Sequence, residues 1–147
     1  MRIRHTGLFL LVAFFTVFFD QTSKLWVVRQ GSLSTINTGV AFGILGGSVW
    51  LSAVLLGFLA ALILYWAYSV RRNQRPRDAL VFGLLIGGGV GNSIDRFLRG
   101  GVVDFLYLGI GPRFNLADLF IVVAVLLVGW DAVRDLGRKR TASVLAE

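Results

Sequence analysis

Apolar residues in this chain gather into four long stretches separated by short polar clusters: Gly7 to Val28, Val49 to Val70, Ala79 to about Ile94, and Leu116 to about Val133. An α-helix rises about 1.5 Å per residue, so a bilayer crossing takes about 20 residues and no fewer than about 17. The second stretch meets that length outright. The fourth lies near the limit, and the third reaches it only if the helix continues to Arg96 or beyond. The first reaches it only by including Asp20 and Lys24, two charges inside an apolar run. The pattern predicts an all-α membrane protein of four transmembrane helices, at about 7–28, 49–70, 79–97 and 115–133. They form a single integral-membrane domain over 1–147, with 138–147 a loose tail.

The first stretch begins with Arg2 and Arg4, as a secretory signal peptide would. Phe18, Phe19 and Asp20 stand where a small-residue cleavage site belongs, so the segment reads as a retained helix. Basic residues in short loops mark the cytoplasmic side. They fall at Arg2 and Arg4, in the Arg71–Arg77 loop, and at Arg134, Arg138, Lys139 and Arg140. The loops at about 29–48 and 97–114 carry only Arg29, Arg99 and Arg113. Both termini are therefore expected in the cytoplasm, with those two loops facing outward.

Gly83, Gly87 and Gly91 recur every fourth residue, and so do Ala53, Gly57 and Ala61. Such spacing lets helix backbones approach closely where lipid supplies no hydrophobic drive. The run Gly87–Gly91 also resembles a phosphate loop, but no Gly-Lys-Ser/Thr follows and no strand precedes it. Composition agrees with a membrane protein: 56% of residues are hydrophobic and 16% charged, against about 45–50% and about a quarter in soluble domains. The net charge of +7 would suit a nucleic-acid partner, but the cations flank apolar runs and form no stripe with interleaved aromatics. No nucleic acid is expected. The chain has no cysteine and a single histidine, His5, which excludes a thiolate nucleophile and argues against a His/Cys metal site.

The acidic residues change the picture. Asp78, Asp131, Asp135 and Glu147 belong with the cytoplasmic ends, whereas Asp20, Asp95, Asp104 and Asp118 all map to the outer face. Ionisable groups near hydrocarbon cost on the order of 3 kcal/mol each, so they pair, face a cavity, or carry function. Lys24 follows Asp20 at i+4, which suits either a neutralised structural pair or a polar contact to a substrate or the site's loops. Asn92, Asp95 and Arg96 share a helix face, as a hydrogen-bonded plug or as part of a site. Arg96 calls for an acid partner, with Asp95, Asp104 and Asp20 the candidates. Asp118 suits a capping box with Asn115 as N-cap, and also suits catalysis. Two converging carboxylates cannot both ionise easily, so one keeps its proton. The ionised one then takes a proton from water while the other assists the scissile carbonyl. Such chemistry needs no metal and no cofactor. The segment Asn37–Gly43 reads as a small extended or β segment in an outer loop, able to receive a peptide strand.

Four segments together resemble the bacterial lipoprotein signal peptidases (signal peptidase II): Asp20–Lys24; Asn37–Gly43; Gly91–Arg96 with Val102–Phe105; and Phe114–Asp118. The resemblance implies an intramembrane aspartyl endopeptidase of the bacterial inner membrane, its active site near the outer face. It implies removal of the signal peptide from diacylglyceryl-modified prolipoproteins, with cleavage before the lipidated cysteine. By motif, Asp104 and Asp118 are the implied catalytic pair. Asp20, Lys24, Asn37, Gly39, Asn92, Asp95, Arg96 and Asn115 are the implied substrate-binding or supporting positions. Implied partners are the prolipoprotein and membrane lipid, and a monomer suffices. The chain departs from the family in shorter stretches between Lys24 and Asn37 and between Asp104 and Asp118, and in Leu119. The alternatives are a catalytically inactive relative that binds lipoprotein precursors or lipid, and a small proton- or ion-conducting protein.

Overall fold

The computed structural model describes residues 2–31, 34–39, 54, 57, 58, 60, 61, 64, 65, 68 and 76–144. Its elements are helices α1 (Arg2–Arg29), α2 (Pro76–Arg99) and α3 (Leu116–Val144), with strands β1 (Thr35–Asn37) and β2 (Val102–Asp104). Within the second apolar stretch the described positions, Val54 to Tyr68, are helical. The architecture is mostly helical with one two-stranded antiparallel sheet.

By length and apolarity, His5–Arg29 can cross a bilayer. Its outward face carries Leu10, Leu11, Phe14, Phe15, Phe18 and Phe19, and α3 exposes Val122, Val125, Leu126, Trp130 and Val133. Water would not tolerate apolar faces of this extent on a monomer, whereas lipid suits them. The core between helices is small, built on Phe9, Ala79 and Ile86 with Leu8, Phe82 and Val90 against them.

Glycine stripes draw α2 onto its neighbours. A Cβ at Gly83 would stand 2.7 Å from Val12 Cβ, at Gly87 2.6 Å from Thr16 Cβ, and at Gly91 2.6 Å from Asp20 Oδ2. The stripe 83/87/91 thus lies along 12/16/20 of α1, each stepping by one turn. Gly88 faces the other way, where a Cβ would meet the Ala117 carbonyl and Ile121 of α3, both at 2.8 Å. The glycine run is a helix-packing device, as expected. The second stripe differs. Gly57 and Ala61 are exposed, a Cβ at Gly57 would meet nothing within 4 Å, and Ala53 lies outside the described residues. The described contact of this stretch with α2 is aromatic, Tyr65 on Phe82 at 5.9 Å between centroids.

Gly100 ends α2. Its φ of 73° is the left-handed conformation that glycine adopts without strain, and its N–H returns to Arg96 O at 3.1 Å. The chain then turns into β2, which pairs with β1 in the register Thr35↔Asp104, Ile36↔Val103, Asn37↔Val102. A bridge between Leu106 and Phe114 closes a hairpin just before α3. That helix runs past the expected end at 133, and the segment 138–144, expected to be loose, is helical; 145–147 lie outside the described residues. Lys139, Arg138, Arg140 and Ala142 are good helix formers, which accounts for the extension.

Candidate active site

The base of the site is a buried charge cluster between α1 and α2. Lys24, Asp20 and Asp95 are each 0% exposed. The Lys24 ammonium donates to Asp20 Oδ2 and Asp95 Oδ2, both at 2.8 Å, and to Asn92 Oδ1 at 3.1 Å. All three of its N–H groups are thereby used. Burying ions is costly unless every lone pair and proton is satisfied, and the carboxylates comply. Asp20 also accepts from Gln21 Nε2 at 3.1 Å and from the Ala117 N–H at 2.9 Å. Asp95 accepts from Val103 N–H at 3.2 Å, from Gln21 at 3.3 Å and from the Arg99 guanidinium. One cluster therefore ties α1, α2, β2 and the start of α3 together.

Above it stand Asp104 and Asp118. Asp118 lies in the first turn of α3, where Asn115 is the N-cap. Asn115 Oδ1 accepts from the Asp118 N–H at 3.0 Å, and Asp118 Oδ2 accepts from the Asn115 N–H at 3.2 Å. This is the reciprocal capping box that the spacing suggests. Its amide group then reaches outward, donating to Asp104 Oδ1 at 2.7 Å and Asn92 Oδ1 at 3.1 Å. Asn92 Nδ2 donates to Asp118 Oδ1 at 2.8 Å. On the far side Asn37 Nδ2 donates to Asp104 Oδ2 at 3.0 Å, while the Gly39 N–H donates to Asn37 Oδ1 at 2.9 Å. Capping and site geometry are thus the same set of bonds, not alternatives.

Asp104, Asp118, Asn37, Asn92, Arg96 and Arg113 line a cleft of about 260 Å³ whose apolar wall is Val102, Ile121 and Val122. Burial raises the Asp104 carboxyl above the usual carboxylate range. The Asn37 and Asn115 donors and the Lys24 charge oppose that, and neighbouring Asp118 adds to it. Two acids facing one cleft, one inclined to hold its proton, can activate water and assist a carbonyl together.

All ten residues singled out from the sequence lie in this one network. Arg96 holds the Gly39 carbonyl at 3.1 Å and the Asn92 carbonyl at 3.4 Å, where an acid partner was expected. Its charge fastens the turn after β1 in place of forming an ion pair with Asp20, Asp95 or Asp104. Of the expected extended segment Asn37–Gly43, only Asn37 is strand, as the end of β1; Thr38 and Gly39 are not strand, and 40–43 lie outside the described residues. Leu119 is 43% exposed and does not line the cleft. Two contributors escaped the sequence reading: Gln21, which bridges Asp20, Asp95 and the Gly91 carbonyl, and Arg113. Each adjoins a motif residue, and that adjacency was the available signal.

Residues 12–134 match the family model of signal peptidase (SPase) II. The chain belongs to the signal peptidase II family. A lipoprotein signal peptidase of Nostoc punctiforme is 38% identical over 145 residues, covering 87% of this chain and 90% of the relative. One of Syntrophomonas wolfei is 38% identical over 143 residues, covering 86% and 90%. A solved bacterial membrane enzyme superposes with a TM-score of 0.77 at 29% identity, covering 90% of this chain and 92% of its own. A second gives 0.73 at 30% identity, covering 88% and 94%. This signal peptidase II family member is a protease and a membrane protein.

Proposed function

We propose that the chain removes the signal peptide from diacylglyceryl-modified prolipoproteins, cutting before the lipidated cysteine, with Asp104 and Asp118 as the catalytic pair. What carries the reading is the sharing of Asn115: its side-chain amide donates to the Asp104 carboxyl, its backbone N–H donates to the Asp118 carboxyl, and its Oδ1 accepts from the Asp118 N–H. The two carboxyls are thus held at one cleft by a single residue, in a chain whose relatives are lipoprotein signal peptidases.

Asp118, in the first turn of α3 where the helix dipole favours negative charge, acts as the base, and Asp104 as the acid. Asp118 takes a proton from water as the oxygen attacks the scissile carbonyl, and Asp104 gives its proton to the carbonyl oxygen. The tetrahedral diol then collapses. Asp118 passes its proton to the departing amide nitrogen, and Asp104 regains one from the diol. Atoms and charge balance, and both acids return to their starting state. Asn37, Asn92 and Asn115 hold the pair in place (hydrogen bonds described above), and Asp20, Lys24, Asp95, Arg96 and Gly39 hold the amides and their loops.

The chain acts as four transmembrane helices in the bacterial inner membrane, with both termini cytoplasmic and the cleft near the outer face, as a monomer in contact with lipid. The four outer acids cluster at one end of the helices, which favours a reaction site over a conduction path spread through the bilayer. The substrate's acyl chains and apolar signal segment would set the scissile bond at a fixed depth, which supplies positioning. The test is cleavage of a diacylglyceryl-modified prolipoprotein by the purified protein in detergent. Wild type cuts before the lipidated cysteine, and Asp104→Asn and Asp118→Asn, folded, do not. Cleavage retained by either variant would overturn the assignment of the pair.

A further inference from the structure

Three asparagine amides surround the two acids, and each has its carbonyl oxygen occupied by a group that can only donate. Gly39 N–H holds Asn37 Oδ1, Asp118 N–H holds Asn115 Oδ1, and the Lys24 ammonium holds Asn92 Oδ1 together with Asn115 Nδ2. A primary amide is nearly symmetric in shape, so its orientation is set by what its ends meet. With the oxygens held, all three NH₂ groups point at carboxylates: Asn37 and Asn115 at Asp104, Asn92 at Asp118. Two of these holders are backbone N–H groups, which no substitution but proline removes. Lys24 is a side chain of α1 that itself reaches neither acid by a hydrogen bond among the described residues.

We infer that Lys24 is a positioning residue of the peptidase: by holding the Asn92 carbonyl oxygen it keeps the Asn92 N–H on Asp118. The inference rests on Asp104 and Asp118 being the catalytic pair. Without the ammonium the Asn92 oxygen keeps only the Asn115 Nδ2 donor at 3.1 Å, so the amide is held by one bond in place of two and its N–H is less firmly placed on Asp118. Among the described residues the charges that Lys24 meets are Asp20 on α1 and Asp95 on α2, both ion-paired to it, and Asp104 on β2, which it reaches through space. Lys24 also lowers the proton affinity of Asp104 through space.

Lys24→Met alone would strand Asp20 as an unpaired buried charge, whereas Asp95 keeps Arg99, so the variant to use is Asp20→Asn/Lys24→Met, with its folding checked by thermal melt. Expected is a fall in kcat of about 10- to 100-fold with KM unchanged. The alkaline limb of the pH–rate profile should move to higher pH. The decisive comparison is the same double variant in an Asn92→Ala background. If Lys24 acts through Asn92, its loss there costs kcat little further, because the interaction is already gone. Losses that multiply in full would overturn the inference, as would wild-type kcat and pH profile in the folded double variant. Asp104→Asn and Asp118→Asn run alongside separate the two claims. If they still cleave, the assignment of the pair falls. If they are dead and the cycle is additive, only the role of Lys24 falls.

Discussion

The seam between α1 and α2 is one repeat used in two ways. At its lower end Gly83 and Gly87 meet Val12 and Thr16, and the helices are held by close van der Waals contact. One turn further on, Gly91 meets the Asp20 carboxylate, and the same approach is held by the Lys24 ion pairs and the Gln21 bridge. The geometry is shared and the chemistry is not. Apolar packing tolerates changes that conserve volume, whereas a buried network fails when any one member loses its partner. The lower seam therefore carries stability, and the upper seam carries the placement of the acids through Asp20, Lys24 and Asn92.

Alanine at the two glycines separates these roles. At Gly91 the new methyl would fall 2.6 Å from Asp20 Oδ2, the far end of a buried side chain held by Lys24, Gln21 and the Ala117 N–H. The helices stay together, but the Asp20 bonds to Lys24 and Ala117 are displaced. Cleavage per folded molecule should fall about 10- to 100-fold, as for a misplaced catalytic group. At Gly87 the methyl would meet Thr16 Cβ at 2.6 Å and the Ala13 carbonyl at 2.9 Å, neither of which can move aside. Gly87→Ala should destabilise by about 1–3 kcal/mol while folded molecules keep their turnover. Thermal melts and active-site-normalised rates distinguish the two. If both variants lose only stability, the upper seam has no special role.

A smaller effect sharpens the electrostatic side. Because burial raises the Asp104 carboxyl, its proton persists above the pH at which an ordinary carboxylate loses it. In the proposed mechanism protonated Asp104 is the active form, so cleavage should decline as pH rises through that raised value. Asn37→Ala removes an N–H donor that favours the ionised form, and should move this alkaline limb to still higher pH in a rate profile. The smallest effect belongs to Gly57→Ala, where nothing lies within 4 Å: stability within about 0.5 kcal/mol and unchanged cleavage. A large loss there would show that the exposed small-residue stripe meets a partner helix.

Much of this was legible in the sequence because membrane proteins write their plan in long apolar runs and misplaced charges. The stretches around 7–28, 79–97 and 115–133 correspond to the longer helices α1, α2 and α3, and Asp20, Asp95, Asp104 and Asp118, the four aspartates assigned to one face, all fall in the site. Helix ends were less legible. α2 starts at Pro76, which is well suited to a first helical turn but stands among polar residues. The pairing of Thr35–Asn37 with Val102–Asp104 joins segments nearly seventy residues apart in the chain, and three-residue strands carry no periodicity to announce it. Arg96 shows the limit of reading charge by charge. Its type demands acceptors, and carbonyl oxygens of Gly39 and Asn92 serve as well as a carboxylate. Gln21 stands inside the Asp20–Lys24 segment but, for a similar reason, was not singled out, since its value lies in spanning two helices.

The Leu106–Phe114 bridge has a consequence for the protein's engineering. Two-way backbone bonds between these residues, at 2.8 and 3.0 Å, fasten the hairpin at its neck. The neck sits between β2, which ends in Asp104, and Asn115, which begins the cap of Asp118. The number of residues in the tip, 107–113, is therefore insulated from the spacing of the acids. This is how the stretch between Asp104 and Asp118 can be short without drawing the pair apart. The same insulation makes Gly109–Gly111, exposed and turned by glycines at positive φ, the natural place to graft a label or a longer loop beside a working cleft.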